Sequence, residues 1–129
     1  MAKVLIIDDD QFIRMEFARV LGAAGYEIAF AVDAVSAIST ATSERPDLIV
    51  LDMGLPAGSG MVVMERLRNL ATTMVTPVIV VTGNLIDFDR EQALRGMGCK
   101  TILPKSLQAH DLVAAVKAEL AGPVAPVEG

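Results

Sequence analysis

Cysteine is nearly absent. Cys99 stands alone, so no internal disulfide can form and no cysteine-rich metal centre can be built. A solitary thiol of this kind is expected to be a small buried apolar residue. Long apolar runs are missing too. None approaches the roughly 18 residues of a membrane-spanning helix, and Met1-Ala2-Lys3-Val4 leads into a short apolar stretch without the pattern of a secretory signal. Basic residues are outnumbered, with 11 Lys and Arg against 16 Asp and Glu and a net charge of −5. Affinity for nucleic acid rests largely on cations at phosphates, so direct nucleic-acid binding is not expected. A basic protein partner remains compatible with this charge. No membrane association is expected, and a reducing, cytoplasmic setting is.

Apolar residues are plentiful, 53% of a 129-residue chain, enough to fill the core of one compact domain. Short β-branched runs at residues 4–7, 27–31, 48–51, 78–82 and 101–103 have strand length. Between them lie segments of helical period. Ile13, Phe17, Val20, Leu21 and Ala24 share one face of the first, and Gly25 stops it. Asp33 caps a second, with Ala34, Ala37, Ile38 and Ala41 inward. A third is expected at about 61–70 and a fourth at about 87–97. The last begins near Ser106 or Leu107 and ends before Gly122-Pro123. Five β-α units in alternation predict an α/β fold, a parallel sheet covered by helices on both faces. Residues 1–121 form the expected domain. Residues 122–129, with two prolines and two glycines, read as a flexible C-terminal tail followed by no output domain.

Ligands of such sheets bind beyond the carboxyl ends of the strands. Asp8, Asp9 and Asp10 follow the first run, Asp52 ends the third, Thr82-Gly83 end the fourth, and Lys105 lies past the fifth. Two carboxylates about 4 Å apart repel by roughly 4 kcal/mol at an effective dielectric of 20. Protonation or a bound cation relieves this, and Mg²⁺ suits a few carboxylates with retained waters. A metal and an ammonium beside a carboxylate also prepare a place for a phosphoryl group. Each residue taken singly has a plainer reading. Asp10 is a helix N-cap, Asp8 and Asp9 are first-turn acids, Thr82 is a strand residue and Lys105 a solvated loop lysine. Gly58 and Gly60 read as loop formers. Met61, Met64, Met74 and Met97 read as core or half-buried fillers, and His110 as a solvated helix residue far from any acidic partner.

Together the motifs resemble those of response regulator receiver domains over about residues 3–121. Val4-Leu5-Ile6-Ile7-Asp8-Asp9-Asp10 is similar to that family's first strand and acidic pair. The stretch from Asp47 to Pro56 is similar to its phosphoacceptor strand, with Pro56 and Gly60 four and eight residues after Asp52. Pro77-Val78-Ile79-Val80-Val81-Thr82-Gly83 resembles the strand carrying the switch threonine, and Leu103-Pro104-Lys105 the lysine segment. The resemblance implies a flavodoxin-like (βα)5 sheet of order 2-1-3-4-5. It also implies phosphoryl transfer onto Asp52 from a histidine kinase or phosphotransfer protein, which switches binding of an unidentified downstream protein. Asp9, Asp52 and the Gly54 carbonyl would then ligate Mg²⁺, with Asp8 acting through water. Lys105, the Thr82 hydroxyl and the amides of Met53 and Gly83 would contact the phosphoryl group. No reaction on an external substrate is implied beyond self-phosphorylation and autodephosphorylation.

Three positions depart from the family pattern. Ile102 replaces an aromatic that reports phosphorylation, Ser106 a proline, and Gly54 carries no side chain to guide a water. A trans Lys105–Ser106 peptide is therefore expected, with Lys105 seated less tightly over Asp52. Ile102 is expected to be a fixed, largely buried contact, leaving Thr82 and the loop 83–87 to report phosphorylation. Other readings are a pseudo-receiver that only binds partners and a haloacid-dehalogenase-type phosphohydrolase. The latter needs an acid where Gly54 stands.

Overall fold

The computed structural model describes residues 1–56, 59–83 and 86–121. The expected tail therefore lies outside the described residues. Five strands alternate with five helices: β1 (Lys3–Ile7), α1 (Gln11–Ala23), β2 (Glu27–Ala31), α2 (Ala34–Glu44), β3 (Leu48–Asp52), α3 (Ser59–Arg68), β4 (Val78–Thr82), α4 (Phe88–Gly96), β5 (Thr101–Pro104) and α5 (Ala109–Ala121). All strand pairs are parallel, in the order β2-β1-β3-β4-β5. This is the flavodoxin-like arrangement.

Alternation along the strands splits the core in two. Leu5, Ile7, Ile49, Leu51, Val78 and Val80 meet Ala37, Ala41, Val63, Met64, Leu67 and Leu94 of α2, α3 and α4. Val4, Ile6, Leu48, Val50, Ile79 and Val81 meet Phe17, Leu21, Leu112 and Val116 of α1 and α5. Helices on both faces explain why β1, β3 and β4 are continuous apolar runs rather than alternating ones.

Local chemistry sets the boundaries. Asp10 caps α1, accepting from the amides of Phe12 and Ile13 at 2.8 and 3.3 Å. Gly25 follows α1 at φ +100°, a conformation that side chains rarely adopt. Ala24, placed with the inward face by its spacing, is exposed because it is already the C-cap. Asp33 and Ser36 cap α2 reciprocally. Asp87 caps α4. The last helix starts later than Ser106 or Leu107. The Gln108 amide donates to Asp111 Oδ2 (3.3 Å) and the Asp111 amide donates to the Gln108 carbonyl (3.0 Å), which places its first turn after Gln108.

Cys99 is buried, and burial raises its thiol pKa. Thiol reagents are expected to modify native protein slowly and denatured protein at once. Measured modification should therefore track unfolding, and fast labelling of the native state would contradict this burial. Met64 is buried and Met61 and Met97 half-buried, but Met74 is 53% exposed, so it fills no core. His110 is exposed and not remote from acid, since its Nε2 lies 3.2 Å from Asp111 Oδ1.

Candidate functional site

The sheet grows from β1 in both directions, to β2 on one side and β3 on the other. A crevice opens at this reversal, beyond the carboxyl ends of β1 and β3. Asp8 follows β1 and Asp52 closes β3, and each is 2% exposed. The apolar strands carry both carboxylates to the edge of the core, while Asp9 next to them is exposed. One oxygen from each of Asp8, Asp9 and Asp52 falls within 4.8 Å of the others.

Lys105 crosses this cluster. Its backbone amide donates to the Thr82 carbonyl at 2.9 Å, extending the register of β5 beyond Pro104. Its Nζ lies 3.2 Å from Asp8 Oδ2 and 3.1 Å from Asp52 Oδ2. No cis peptide occurs among the described residues, so Lys105–Ser106 is trans as expected. The expected loosening of Lys105 does not follow, because the Thr82 bond fixes its main chain before Ser106 can matter.

The remaining polar contacts are selective. Asp8 Oδ1 accepts from the Asp10 amide (2.8 Å), and Arg14 donates to the Asp8 main-chain carbonyl at 2.7 Å. Asp52 Oδ1 accepts from the Gly54 amide at 2.7 Å. Asp52 Oδ2 is buried with no hydrogen bond of acceptable geometry; the nearby Nζ supplies charge but poor alignment. Burial raises the Asp8 pKa, and the Asp52 charge adds to the rise against the opposing Asp10 amide and Lys105. Burial pulls the Lys105 pKa down, but contact with Asp52 and the charges of Asp8 and Asp52 outweigh it, so the net shift is upward.

Asp8, Asp9 and Asp52 gather three carboxylates around the single ammonium of Lys105 and leave negative charge uncompensated. A hard divalent cation fits that deficit, and the orphaned Asp52 Oδ2 supplies a ligand atom for it.

Thr82 is half-buried at the end of β4, with Gly83 exposed after it. The Met53 amide is engaged within the sheet. It donates to the Val81 carbonyl at 3.0 Å, so in this conformation the Gly54 amide, not that of Met53, meets the Asp52 carboxylate. Ile102 is half-buried rather than largely buried, beside a cavity of about 330 Å³ that it lines with Thr82, Gly83, Ile86 and Glu91. An aromatic at 102 would have more bulk to place there. Within the expected reporting loop, Asn84 and Leu85 lie outside the described residues.

Arg14 escaped the sequence reading, and the part played by Gly60 was misread. Nothing in the sequence singles out Arg14, and only the fold brings it onto the Asp8 main-chain carbonyl. Gly60, expected in a loop, is a buried residue of α3. A Cβ there would lie 2.9 Å from Met53 Sδ, 3.0 Å from Met53 Cα and 3.1 Å from the Asp52 carbonyl oxygen. The glycine lets α3 close onto the backbone of the site, and its fixed spacing after Asp52 was the available signal. Gly58 lies outside the described residues. Gly60→Ala is expected to destabilise the domain. Overpacking costs about 1–3 kcal/mol, only partly offset by about 1 kcal/mol of helix propensity. A lower urea midpoint would show it, and an unchanged midpoint would mean that the approach relaxes freely.

Comparison with known proteins agrees with this site. A family model, the response regulator receiver domain, matches residues 4–117. The transcriptional regulatory protein PrrA of Mycobacterium tuberculosis is 37% identical over 118 residues, covering 92% of this chain and 49% of that protein. Response regulator MprA of Mycobacterium avium is 32% identical over 118 residues, 92% of this chain and 50% of that protein. The chain thus spans about half the length of these curated relatives. Among solved structures, a CheY-like receiver domain protein from Methanospirillum hungatei superposes with a TM-score of 0.86 at 25% identity, covering 94% of each chain. Chemotaxis protein CheY4 of Vibrio cholerae gives 0.84 at 28% identity, covering 92% of this chain and 98% of that one. With its acidic crevice at the expected strand ends and a family match over most of its length, this chain belongs to the response regulator receiver domains of two-component systems.

Proposed function

We propose that Asp52 is the phosphoacceptor of this receiver, and that phosphorylation is supported by Mg²⁺ and supplied by a histidine kinase or histidine phosphotransfer protein. One observation carries the reading. The buried Asp52 carboxylate keeps an unsatisfied oxygen beside an ammonium at 3.1 Å, within a cluster of two further carboxylates. Asp9, Asp52 and the Gly54 carbonyl would hold the metal, with Asp8 acting through water. When bound, the ion offsets negative charge on the phosphoryl oxygens.

The chain's own groups do the rest. An Asp52 oxygen attacks phosphorus, and the donor's bond to phosphorus breaks in line with it. Lys105 shifts from the carboxylates to the equatorial phosphoryl oxygens. The Thr82 hydroxyl and the Gly83 amide stand at the neighbouring strand end to donate to the same oxygens. The Met53 amide joins them only by leaving the Val81 carbonyl. Phe12 and Met15, exposed on α1 just past the acidic segment, offer apolar contact to an approaching donor protein. The phosphorylated state then switches binding of a downstream protein.

Incubation with a small phosphodonor and Mg²⁺, followed by intact mass measurement, is expected to add one phosphoryl group per chain, lost on chelation of the metal beforehand. An unmodified mass under conditions that label another receiver would favour the pseudo-receiver reading.

A further inference from the structure

The two edges of the sheet differ in their chemistry. β5 ends on Pro104 and is flanked by Lys100 and Lys105, residue types that keep an edge from pairing with another chain. β2 has no such guard. Glu27-Ile28-Ala29-Phe30-Ala31 holds neither proline nor lysine, and its one charged residue, Glu27, lies 3.8 Å from Lys3 Nζ. Phe30 and the following Val32 are 46% and 44% exposed. Ile28 packs on the α1 and α5 side of the sheet. Phe30, two residues on, stands on the same face and stays uncovered.

Hydrogen bonds single out two residues of this edge. Glu27 donates to the Ala2 carbonyl (2.9 Å), and the Ala31 carbonyl accepts from the Asp8 amide (3.1 Å). Main-chain groups alternate in direction along a strand, so Glu27, Ala29 and Ala31 turn theirs toward β1, while Ile28 and Phe30 turn theirs outward. Nothing among the described residues pairs with those outward groups. Beyond them the amides are committed. Tyr26 donates to the Leu21 carbonyl at 3.1 Å and Val32 to Ser36 Oγ at 3.1 Å. The free set is thus the N–H and C=O of Ile28 and of Phe30, placed symmetrically about Ala29.

We propose that β2 pairs antiparallel with β2 of a second copy of this chain, about a twofold axis at Ala29. Ile28 of each copy then exchanges both main-chain bonds with Phe30 of the other, and every free outward group on the two strands is used. Other registers waste donors. Centring on Ile28 would set Phe30 against Tyr26, and centring on Phe30 would set Ile28 against Val32, whose amides are taken. At the axis Ala29 faces Ala29 in the closer, non-hydrogen-bonded kind of pair, with Cα atoms about 4.5 Å apart, and small side chains suit it. Phe30 lands beside Ile28 of the second copy, an aromatic and β-branched pair that covers the exposed ring. Glu27 faces Ala31, and the two copies of Glu27 stand about 13 Å apart along the strands, beyond the screening length of about 8 Å at physiological salt. The result is one continuous sheet with five strands from each copy. Because the strands run antiparallel across the axis, the two Asp52 crevices open at opposite poles and each stays accessible. β2 carries no residue of the crevice, so pairing is indifferent to phosphorylation.

The full chain is tested by sedimentation velocity over a range of concentrations and by amide hydrogen exchange. A dimer that grows with concentration is expected, together with slower exchange at Ile28 and Phe30. Phe30→Lys, and Phe30→Pro, which removes an N–H that no intrachain bond uses, should each give a folded monomer with undiminished phosphoryl labelling. Should these variants fold poorly, mild oxidation of Ala29→Cys traps the pairing directly. It should yield a covalent dimer, whereas Phe30→Cys, whose two copies lie too far apart to bridge, should not; Cys99 is buried and takes no part. A monomer at every concentration with no cross-linking through Ala29→Cys would overturn the proposal. So would a dimer that survives both Phe30 variants, which would place the contact elsewhere. Slow exchange at Ile28 and Phe30 in a chain that sediments only as a monomer would mean that a segment of the same chain covers the edge, and would overturn it equally.

Discussion

Asp52→Asn is expected to abolish acid-labile, hydroxylamine-sensitive phosphoryl labelling while leaving the fold in place. The substitution keeps the shape of the side chain, and the amide oxygen can still accept the Gly54 N–H that Asp52 Oδ1 now accepts at 2.7 Å. What it removes is the nucleophilic carboxylate. The informative competitor is Asp8, equally buried and almost as close to Lys105, at 3.2 Å against 3.1 Å. Asp8 differs in having its other oxygen bound by the Asp10 amide at 2.8 Å and in lying at the end of a different strand. Asp52 alone retains a buried oxygen without a hydrogen bond among the described residues. Labelling of Asp52→Asn at wild-type stoichiometry would transfer the role to another carboxylate and refute the assignment.

The second large effect concerns stability. Mg²⁺ at 100 times its dissociation constant adds about 2.7 kcal/mol to a state that alone binds it. For a domain of this size that corresponds to a rise in Tm on the order of 10 °C. Asp9→Ala is the clean control, because Asp9 is exposed and makes no hydrogen bond or ion pair among the described residues. Without metal the variant is expected to be at least as stable as wild type, because one of three mutually repelling carboxylates is gone, and it is expected to lose the Mg²⁺ increment. The increment also depends on pH. Asp8 has its pKa raised in the fold, chiefly by burial. For such a group, stability is fully present below the unfolded-state pKa and is lost as pH rises through the folded-state value. The metal-free protein should therefore lose stability over that interval, and the Mg²⁺ increment should grow as Asp8 ionises. Thermal unfolding across pH with Mg²⁺ or chelator measures both. An increment of the same size in Asp9→Ala would place the ion elsewhere.

Much of this arrangement was legible in the residues because period and position carry it. Apolar runs of strand length gave β1 to β5 within a residue of their bounds, and the acids, threonine and lysine fell at strand ends by simple counting. Asp10 and Asp33 declared themselves as caps because capping is chemistry local to one turn. What stayed hidden depends on contacts between distant segments. Nothing near Gly60 says that α3 must touch the backbone of Met53, and nothing near Arg14 says that it will bind the Asp8 carbonyl. The bond held by the Met53 amide was hidden for a related reason. Sheet register decides whether a strand-end N–H is free, and Val81 takes this one. Lys105 held its position despite Ser106 because a main-chain bond to Thr82, invisible in the sequence, governs it.

Gly54 has a consequence for time. A carbon attached there would sit 3.1 Å from Asp52 Oδ1, over the nucleophile. With only hydrogen in that place, position 54 puts no screen and no handle beside Asp52. An acyl phosphate formed there would be exposed to solvent on that side, and its duration would be set by how readily water drifts into line rather than by a residue that aims or shuts out that water. The signal would then have a clock without an escapement, and the residue at 54 would be the place to fit one.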